Sequence, residues 1–414
     1  MTDLAANPKI KQLSIIAAFL IGAGVPLMMF GRAVMQADLG LALIATLALA
    51  FMIPGTFARA AHVGDPLFRI LLGLTIVMWL PGMFESVDWF RSFKAWSRTF
   101  VFIAAAAVMW SILHNDANSR TIALKTLITI TLIMGIISCI SLLAWPDLIR
   151  TLRNLEDHAT RPDLWLKSFA ASCMCLIPVI IWAGLRLGKY WKWAANIAAI
   201  LCFVVIFETS NRAAIAGLMA MIIIGAILLG LREKRTRFPL LLGAPILMGL
   251  MFFWLFNYGP TFLNHPDAYL PTTLVDPHRQ MIWKFTVERA MDAMWFGHGI
   301  DTINFQPGAG FKGPTAPPPL IPSHPHNWLV EVFAETGILG TCAVLATLFK
   351  LFIGLARSVL ANRDTSINFA LLALSAGFWG SALFNFSIWS TWWLLTYFVL
   401  YAVVASHRKV TAPV

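Results

Sequence analysis

Charged residues are scarce in this chain. They make up 12% of its 414 residues, whereas 59% of the residues are hydrophobic and the mean hydropathy is +0.74. A soluble domain carries about 25% charged residues because it must keep a polar surface in water. The composition therefore excludes an ordinary soluble protein and indicates that lipid is the main solvent of the folded chain.

Cysteine is also rare, with five residues in all. Each lies within an apolar run, where a thiol behaves as a small apolar group, and the five are Cys139, Cys173, Cys175, Cys202 and Cys342. This pattern predicts no disulfide framework. Cys173 and Cys175 lack a second pair of ligands, so packing is expected there rather than a metal site.

Several catalytic motifs are absent. The sequence has no HExxH metalloprotease motif, no GxSxG nucleophile elbow and no Walker phosphate loop, so hydrolysis by those routes and the use of soluble nucleotides are not expected. It also lacks an internal repeat, which many transporters possess. We therefore expect one polytopic membrane domain over residues 1–414.

Apolar runs of about 20 residues, the length that crosses a bilayer as a helix, recur along nearly the whole chain. They lack the alternation of strands, so we predict an all-α integral membrane protein with about twelve transmembrane helices. The predicted spans are Leu13–Phe30, Leu39–Ile53, Leu67–Leu80, Phe100–Leu113, Ile122–Trp145, Phe169–Leu185, Trp193–Phe207, Ala213–Leu231, Pro239–Phe256, Trp328–Ile353, Ile367–Phe384 and Trp389–Val404.

The basic residues predict the orientation. The net charge of +11 is scattered between apolar runs, so no nucleic-acid partner is expected. Lys and Arg in short loops stay on the cytoplasmic side, and the densest group joins spans eight and nine. Because successive spans alternate in direction, three further basic segments fall on the same side of the membrane as this group. The basic residues on that side are Arg232, Lys234, Arg235, Arg237, Arg186, Lys189, Lys192, Arg357, Arg363, Arg408 and Lys409. Both termini are then cytoplasmic.

Two long segments fall outside under this orientation, at residues 146–168 and, between spans nine and ten, at residues 257–327. In the second, Asp276 is a capping residue and Pro277 suits the first helical position. We expect a helix over residues 277–295, ended by Gly297 and Gly299, followed by irregular chain from Pro307 to Pro325.

Basic residues are unexpectedly common in the outer segments, which hold Arg161, Lys167, Arg279, Lys284, Arg289 and Lys312. They suit either anionic lipid headgroups or a phosphorylated substrate. Arg212 lies between two spans with almost no loop, where an ionisable group is costly and often functional, although it could also snorkel to the interface. The helix starts after Arg212, at Arg279 and after Asn327 each offer free N–H groups that suit phosphate.

Two histidines, His324 and His326, precede span ten, with Asn327 as its expected cap. An imidazole titrates near neutral pH and can accept a proton. A purely interfacial role is the simpler alternative. A metal site would combine these histidines with His278 and Asp276, but their spacing matches no common metal motif, so neither a metal nor another cofactor is expected.

The chain resembles the O-antigen ligase and polymerase superfamily of bacterial polysaccharide assembly. The segments that carry the resemblance are Ser210-Asn211-Arg212, Arg279-Gln280-Met281-Ile282-Trp283, Phe296-Gly297-His298-Gly299, His324-Pro325-His326-Asn327-Trp328-Leu329 and Glu335-Thr336-Gly337-Ile338-Leu339-Gly340. The resemblance implies a metal-independent glycosyltransferase of the membrane-embedded C class, with its large loop and active site facing the periplasm across the inner membrane.

The resemblance also implies substrates and roles. The ligase of that family moves a glycan from undecaprenyl diphosphate to lipid A-core oligosaccharide. Both of these expected partners are anchored in the membrane lipid. His326 would be the catalytic histidine, and Arg212 and Arg279, with Arg161 on weaker motif grounds, would bind the diphosphate. His324, Asn327 and Glu335 would support the site. O-antigen polymerase, protein O-oligosaccharyltransferase and, from another class, a lipid-linked sugar transporter are the alternatives.

Overall fold

The computed structural model describes residues 7–155, 161–232, 234–258, 270–271, 275–310, 320–321, 323–384 and 386–408, and the regular secondary structure of these residues is entirely helical. Its α-helices are α1 (Pro8–Gly24), α2 (Arg32–Met52), α3 (Thr56–Ala61), α4 (Pro66–Met78), α5 (Trp89–Asn115), α6 (Ala117–Leu143), α7 (Asp147–Arg153), α8 (Pro162–Trp165), α9 (Lys167–Leu187), α10 (Lys189–Glu208), α11 (Arg212–Arg232), α12 (Lys234–Tyr258), α13 (Pro277–Asp292), α14 (Trp328–Leu360), α15 (Thr365–Ala382) and α16 (Thr391–Ala405). The prediction of an all-α fold is confirmed.

The chain is a multi-pass membrane protein. Eight helical segments are long and apolar enough to cross a membrane, namely Arg32–Met52, Pro66–Glu85, Trp89–Asn115, Ala117–Leu143, Lys167–Leu187, Lys189–Glu208, Arg212–Arg232 and Trp328–Leu360. Each of the other predicted spans also coincides with a helix, in α1, α12, α15 and α16. The total of about twelve crossings stays a prediction.

Some span boundaries were wrong. The first predicted span, Leu13–Phe30, is interrupted because α1 ends at Gly24 and a short 3-10 helix runs over Pro26–Phe30. Pro26 has no backbone N–H to continue the α-helical ladder, and it opens the 3-10 turn instead. The helix of the fourth predicted span begins at Trp89, eleven residues before the predicted start at Phe100. The turns from Trp89 to Thr99 are amphipathic rather than purely apolar, so the search for apolar runs did not include them.

The core of the bundle is built around α9, which packs against α6, α10, α15 and α16. Phe169, Phe378 and Trp393 are fully buried there. Close packing is achieved by small residues: a Cβ on Gly217 of α11 would lie 2.8 Å from the carbonyl oxygen of Gly377 on α15. Small residues let membrane helices approach closely where the hydrophobic effect does not drive association.

Candidate functional site

The starts of α9 and α11 are fixed side by side by Asn211. Its side-chain nitrogen donates to the carbonyl of Lys167 at 2.8 Å, and its side-chain oxygen accepts from the N–H of Ala214 at 3.1 Å. Asn211 therefore satisfies an otherwise unpaired donor in the first turn of α11. Arg212 follows as the first helical residue, so the Ser-Asn-Arg motif places this arginine beside Lys167 at one end of the bundle.

Lys167 lies within electrostatic range of three arginines at this end, which we call the loop end. The positive charges of Arg279, Arg161 and Arg212 repel that of Lys167, which the Asp163 carboxylate attracts, and Arg212 and Arg279 repel each other. We call these four residues the basic cluster. Because like charges that share a site destabilise one another, the cluster favours an anionic ligand.

Arg279 is held at the start of α13. Asp276 caps this helix by accepting from the N–H of His278 at 2.9 Å, and Pro277 occupies the first turn, so the predicted cap is confirmed. Arg279 donates through Nη1 to the carbonyl of Phe384 at 3.0 Å. Burial lowers the pKa of the Arg279 guanidinium from its ordinary value, and the nearby Asp276 carboxylate opposes that change. The guanidinium remains a cation at neutral pH.

Arg161 stands at the exposed edge of the basic cluster. Its side chain is 59% exposed and forms a two-point ion pair with Asp163, at 3.0 and 3.1 Å. This hydrogen bond lowers the pKa of the Asp163 carboxyl. Arg161 lies within electrostatic range of Lys167, but it would have to exchange the Asp163 carboxylate for a phosphate in order to bind one.

The histidine loop, residues 323–327, is tied to α13. The indole N–H of Trp283 donates to the carbonyl of Pro325 at 2.8 Å, and Trp283 lies one turn after Arg279 on the same face of its helix. The rings of His324 and His326 are 4.1 Å apart between centroids. One face of α13 therefore carries both Trp283, which contacts the histidine loop, and Arg279 of the basic cluster.

His326 adopts a left-handed backbone conformation, with φ of +58°. Non-glycine residues rarely adopt this conformation, which costs about 1–3 kcal/mol and persists where surrounding structure enforces it. His324 contacts the Ser323 hydroxyl, Nδ1 to Oγ, at 2.7 Å. Asn327 then caps α14 as predicted, since its side chain accepts from Leu329 and Val330 at 3.0 and 3.3 Å.

Glu335 is buried and binds backbone rather than facing the basic cluster. Its carboxylate accepts from the N–H groups of Asp301, Thr302 and Ile303 at 2.7, 3.0 and 3.1 Å, and from the indole of Trp389. The sequence analysis predicted that Glu335 supports the site, but it did not identify these hydrogen-bond partners. Through these contacts Glu335 holds the backbone of residues 301–303 against α14.

Two glycine motifs form a single backbone lock. His298 and Gly299 donate to the carbonyls of Ala334 and Glu335 at 3.0 and 2.9 Å. Gly337 breaks α14 with φ of +64°, and a Cβ there would lie 2.3 Å from the Trp295 backbone. We call the backbone contacts between Phe296–Gly299 and Glu335–Gly337, together with the hydrogen bonds of the Glu335 carboxylate, the α14 lock.

α13 ends three residues before the predicted position of about residue 295. The helix stops at Asp292, not near residue 295, so Gly297 and Gly299 lie beyond it. A Cβ on Gly297 would lie 2.3 Å from the Glu335 carbonyl carbon. The glycines are therefore required for close backbone approach to α14 rather than for ending a helix.

Arg32 was missed by the sequence analysis. It opens α2, donates to the Ser168 hydroxyl at 3.3 Å, and lies 5.3 Å from the ring centres of both Phe386 and Trp392. These aromatic faces stabilise a cation. Its position in a short loop on the predicted outer side, where basic residues should be rare, was the available signal.

The residues weighed as metal ligands do not assemble. Within the described ranges, three or more His, Cys, Asp or Glu side chains nowhere form a group suited to a metal ion. This holds for His278, His324, His326 and Asp276, all of which are described. The five cysteines are free, and Cys173 and Cys175 are buried. Lys312 and part of the segment from Pro307 to Pro325 lie outside the described residues.

Comparison with known proteins gives a consistent result. A family described as O-antigen ligase matches residues 197–345, a stretch that includes Arg212, Arg279, His326 and Glu335 but not Arg161. A candidate polysaccharide ligase of Rickettsia prowazekii is 25% identical over 207 residues, covering 48% of this chain and 48% of its own length. One from Rickettsia typhi is 24% identical over 209 residues, covering 48% and 49%. The matched region spans about half the length of these curated relatives.

Proposed function

From the premise that this chain belongs to the O-antigen ligase superfamily, which it matches over residues 197–345, we propose that it is an O-antigen ligase. It would transfer a glycan from undecaprenyl diphosphate to lipid A-core oligosaccharide at the periplasmic face of the bacterial inner membrane. The observation that carries the proposal is the junction of the basic cluster and the histidine loop on one face of α13, through Arg279 and Trp283.

The basic cluster suits the leaving group. As the bond from the anomeric carbon to the diphosphate oxygen breaks, that oxygen gains negative charge. Fixed guanidinium groups and helix N-termini stabilise developing charge without reorganising, and Arg212 and Arg279 both stand in first helical turns. Binding a diphosphate would also remove the repulsion between these two side chains.

His326 suits the role of general base. It would accept the proton of the acceptor sugar hydroxyl as that oxygen forms its bond to the anomeric carbon on the face opposite the departing diphosphate. This displacement inverts the configuration at the anomeric carbon. The neighbouring imidazole of His324, with ring centroids 4.1 Å away, would hold the orientation of the His326 ring.

The position of the site at the ends of α9, α11 and α14 suits a donor carried by a lipid. These helices begin at the loop end and run into the bundle, so a polyprenyl tail could remain in the hydrocarbon while its diphosphate reaches the basic cluster. A soluble nucleotide sugar would not need this placement at the membrane surface.

An acceptor assay tests the proposal. Purified full-length protein in detergent would be incubated with labelled undecaprenyl-diphosphate glycan and either lipid A-core or a second lipid-linked repeat. We expect label on lipid A-core and release of undecaprenyl diphosphate. Elongation of lipid-linked repeats without modification of lipid A-core would identify a polymerase instead, and transport of the donor without bond cleavage would identify a transporter.

A further inference from the structure

A second cationic site lies at the end of the bundle opposite the loop end. A cavity of about 440 Å³ opens where α5 ends, α6 begins and α9 and α16 end. Its charged and titratable lining consists of Arg120, Arg186, Arg408, His114, His407 and Asp364. Nothing in the proposed transfer reaction uses these residues.

The charge of this cavity is unbalanced. Three arginines and one carboxylate, Asp364, line the cavity. The charges of Arg120 and Arg186 repel each other, and the nearby Asp116 carboxylate offsets part of the Arg120 charge. Burial, with smaller contributions from the nearby Arg120 and Arg186, lowers the pKa of His407 to about 4, so His407 is neutral at pH 7. The arginines therefore supply a net positive charge that an anion would neutralise.

Part of the donor capacity of the arginines is unused within the described residues. Nε of Arg408 is buried without a hydrogen-bond partner there, although Nη2 of the same side chain donates to the side-chain oxygen of Asn368. A buried donor without a partner is costly. Guanidinium groups match the oxygens of a phosphate with two-point contacts, which is the chemistry that would satisfy this donor.

The surroundings favour a lipid phosphate. Trp110 stacks on His114 at 5.1 Å and Trp182 packs edge-on against His407 at 5.0 Å, and tryptophan is typical of the membrane interface. A second cavity of about 190 Å³ shares Arg120, Arg186 and His407 with the first. Its lining adds Leu124 and Leu187, an apolar surface suited to the first carbons of an acyl chain.

We propose that this cavity binds the phosphate headgroup of an anionic membrane lipid, in the leaflet opposite the loop end. Basic pockets between membrane helices bind such headgroups elsewhere, with an electrostatic contribution from each cation near the surface. The orientation predicted from the basic loops would make this the cytoplasmic leaflet.

Native mass spectrometry of the purified full chain tests this site. The protein would be titrated with phosphatidylglycerol, with phosphatidylcholine and with inorganic phosphate. Arg186 is exposed, and no hydrogen bond or ion pair is formed by its side chain within the described residues, so Arg186→Gln removes charge without removing a contact. We expect about fivefold weaker phosphatidylglycerol binding in this variant, and about 25-fold weaker binding in Arg186→Glu.

Arg357→Gln is the matched control, because Arg357 is an exposed arginine in the last turn of α14 and does not line the cavity. Its phosphatidylglycerol binding should equal that of the unmodified chain. Equal binding in Arg186→Glu and Arg357→Gln would overturn the site. Binding of inorganic phosphate as tight as that of phosphatidylglycerol would overturn the assignment to a lipid. Neither outcome bears on glycan transfer, which uses the loop end.

Discussion

Two neighbouring regions at the loop end handle charge in opposite ways. In the α14 lock, the buried carboxylate of Glu335 is satisfied by three backbone N–H groups and one indole. In the basic cluster, Lys167, Arg212 and Arg279 lie within electrostatic range of one another and their charges repel. A charged group with hydrogen-bond partners inside the protein stabilises the fold. Like charges that repel each other are instead suited to binding a ligand of opposite charge.

The largest effect expected is that of His326→Ala on glycan transfer. Loss of a general base lowers the rate by about 10²–10⁴-fold, while donor binding through the basic cluster should persist. The measurement is single-turnover transfer together with donor affinity in the purified variant. The matched control is His62→Ala, because the His62 side chain is exposed and contacts the carbonyl of Ala58, outside the histidine loop. Near-normal transfer by His326→Ala would refute the catalytic role.

A smaller effect is expected when a cation of the basic cluster is removed. Arg212→Ala and Arg279→Ala should each lower donor use by about 10-fold to 100-fold, because a hydrogen bond to a charged group contributes about 1.5–3 kcal/mol. Donor affinity and turnover are the measurements.

Arg289→Ala is the matched control for these variants. It lies on α13 as Arg279 does, but pairs with Asp292 at 3.0 Å near the other end of the helix. Unchanged donor affinity and turnover in both cluster variants would remove Arg212 and Arg279 from the site.

The α14 lock should respond in stability rather than in chemistry. Glu335→Gln leaves one oxygen where two accept backbone N–H groups, so we expect a loss of about 1–3 kcal/mol in unfolding free energy. Thermal unfolding of the purified variant measures this. The remaining folded fraction should bind donor normally, and a variant with unaltered melting but abolished donor binding would contradict the structural role.

The smallest effect is expected for Arg161→Ala. This side chain is largely exposed and already paired with Asp163, and exposed ion pairs contribute about 0–1 kcal/mol. Donor turnover should therefore fall by no more than about fivefold. A loss as large as that of Arg279→Ala would place Arg161 among the principal diphosphate ligands.

The sequence predicted the features that depend on local pattern. Apolar runs identified the helices because their length and lack of alternation are local properties. The caps at Asp276 and Asn327 were found because a capping side chain acts within three residues of its own position. Both caps are present in the structure.

Features that depend on distant contacts were not predictable in the same way. The Glu335 carboxylate meets N–H groups 32 to 34 residues earlier in the chain, and no spacing rule connects them. Gly297 was interpreted as a helix stop because a glycine that permits close backbone approach has the same local signature as one that ends a helix. Arg32 was missed because its partners Phe386 and Trp392 come from the far end of the sequence.

The most direct test of the central claim is a cryo-EM structure of the full-length protein with undecaprenyl diphosphate bound in a lipid nanodisc. The account predicts that density for the two phosphates lies between Arg212 and Arg279, on the side of α13 that faces the histidine loop. Density for the diphosphate at any other position, with the basic cluster left unoccupied, would contradict it.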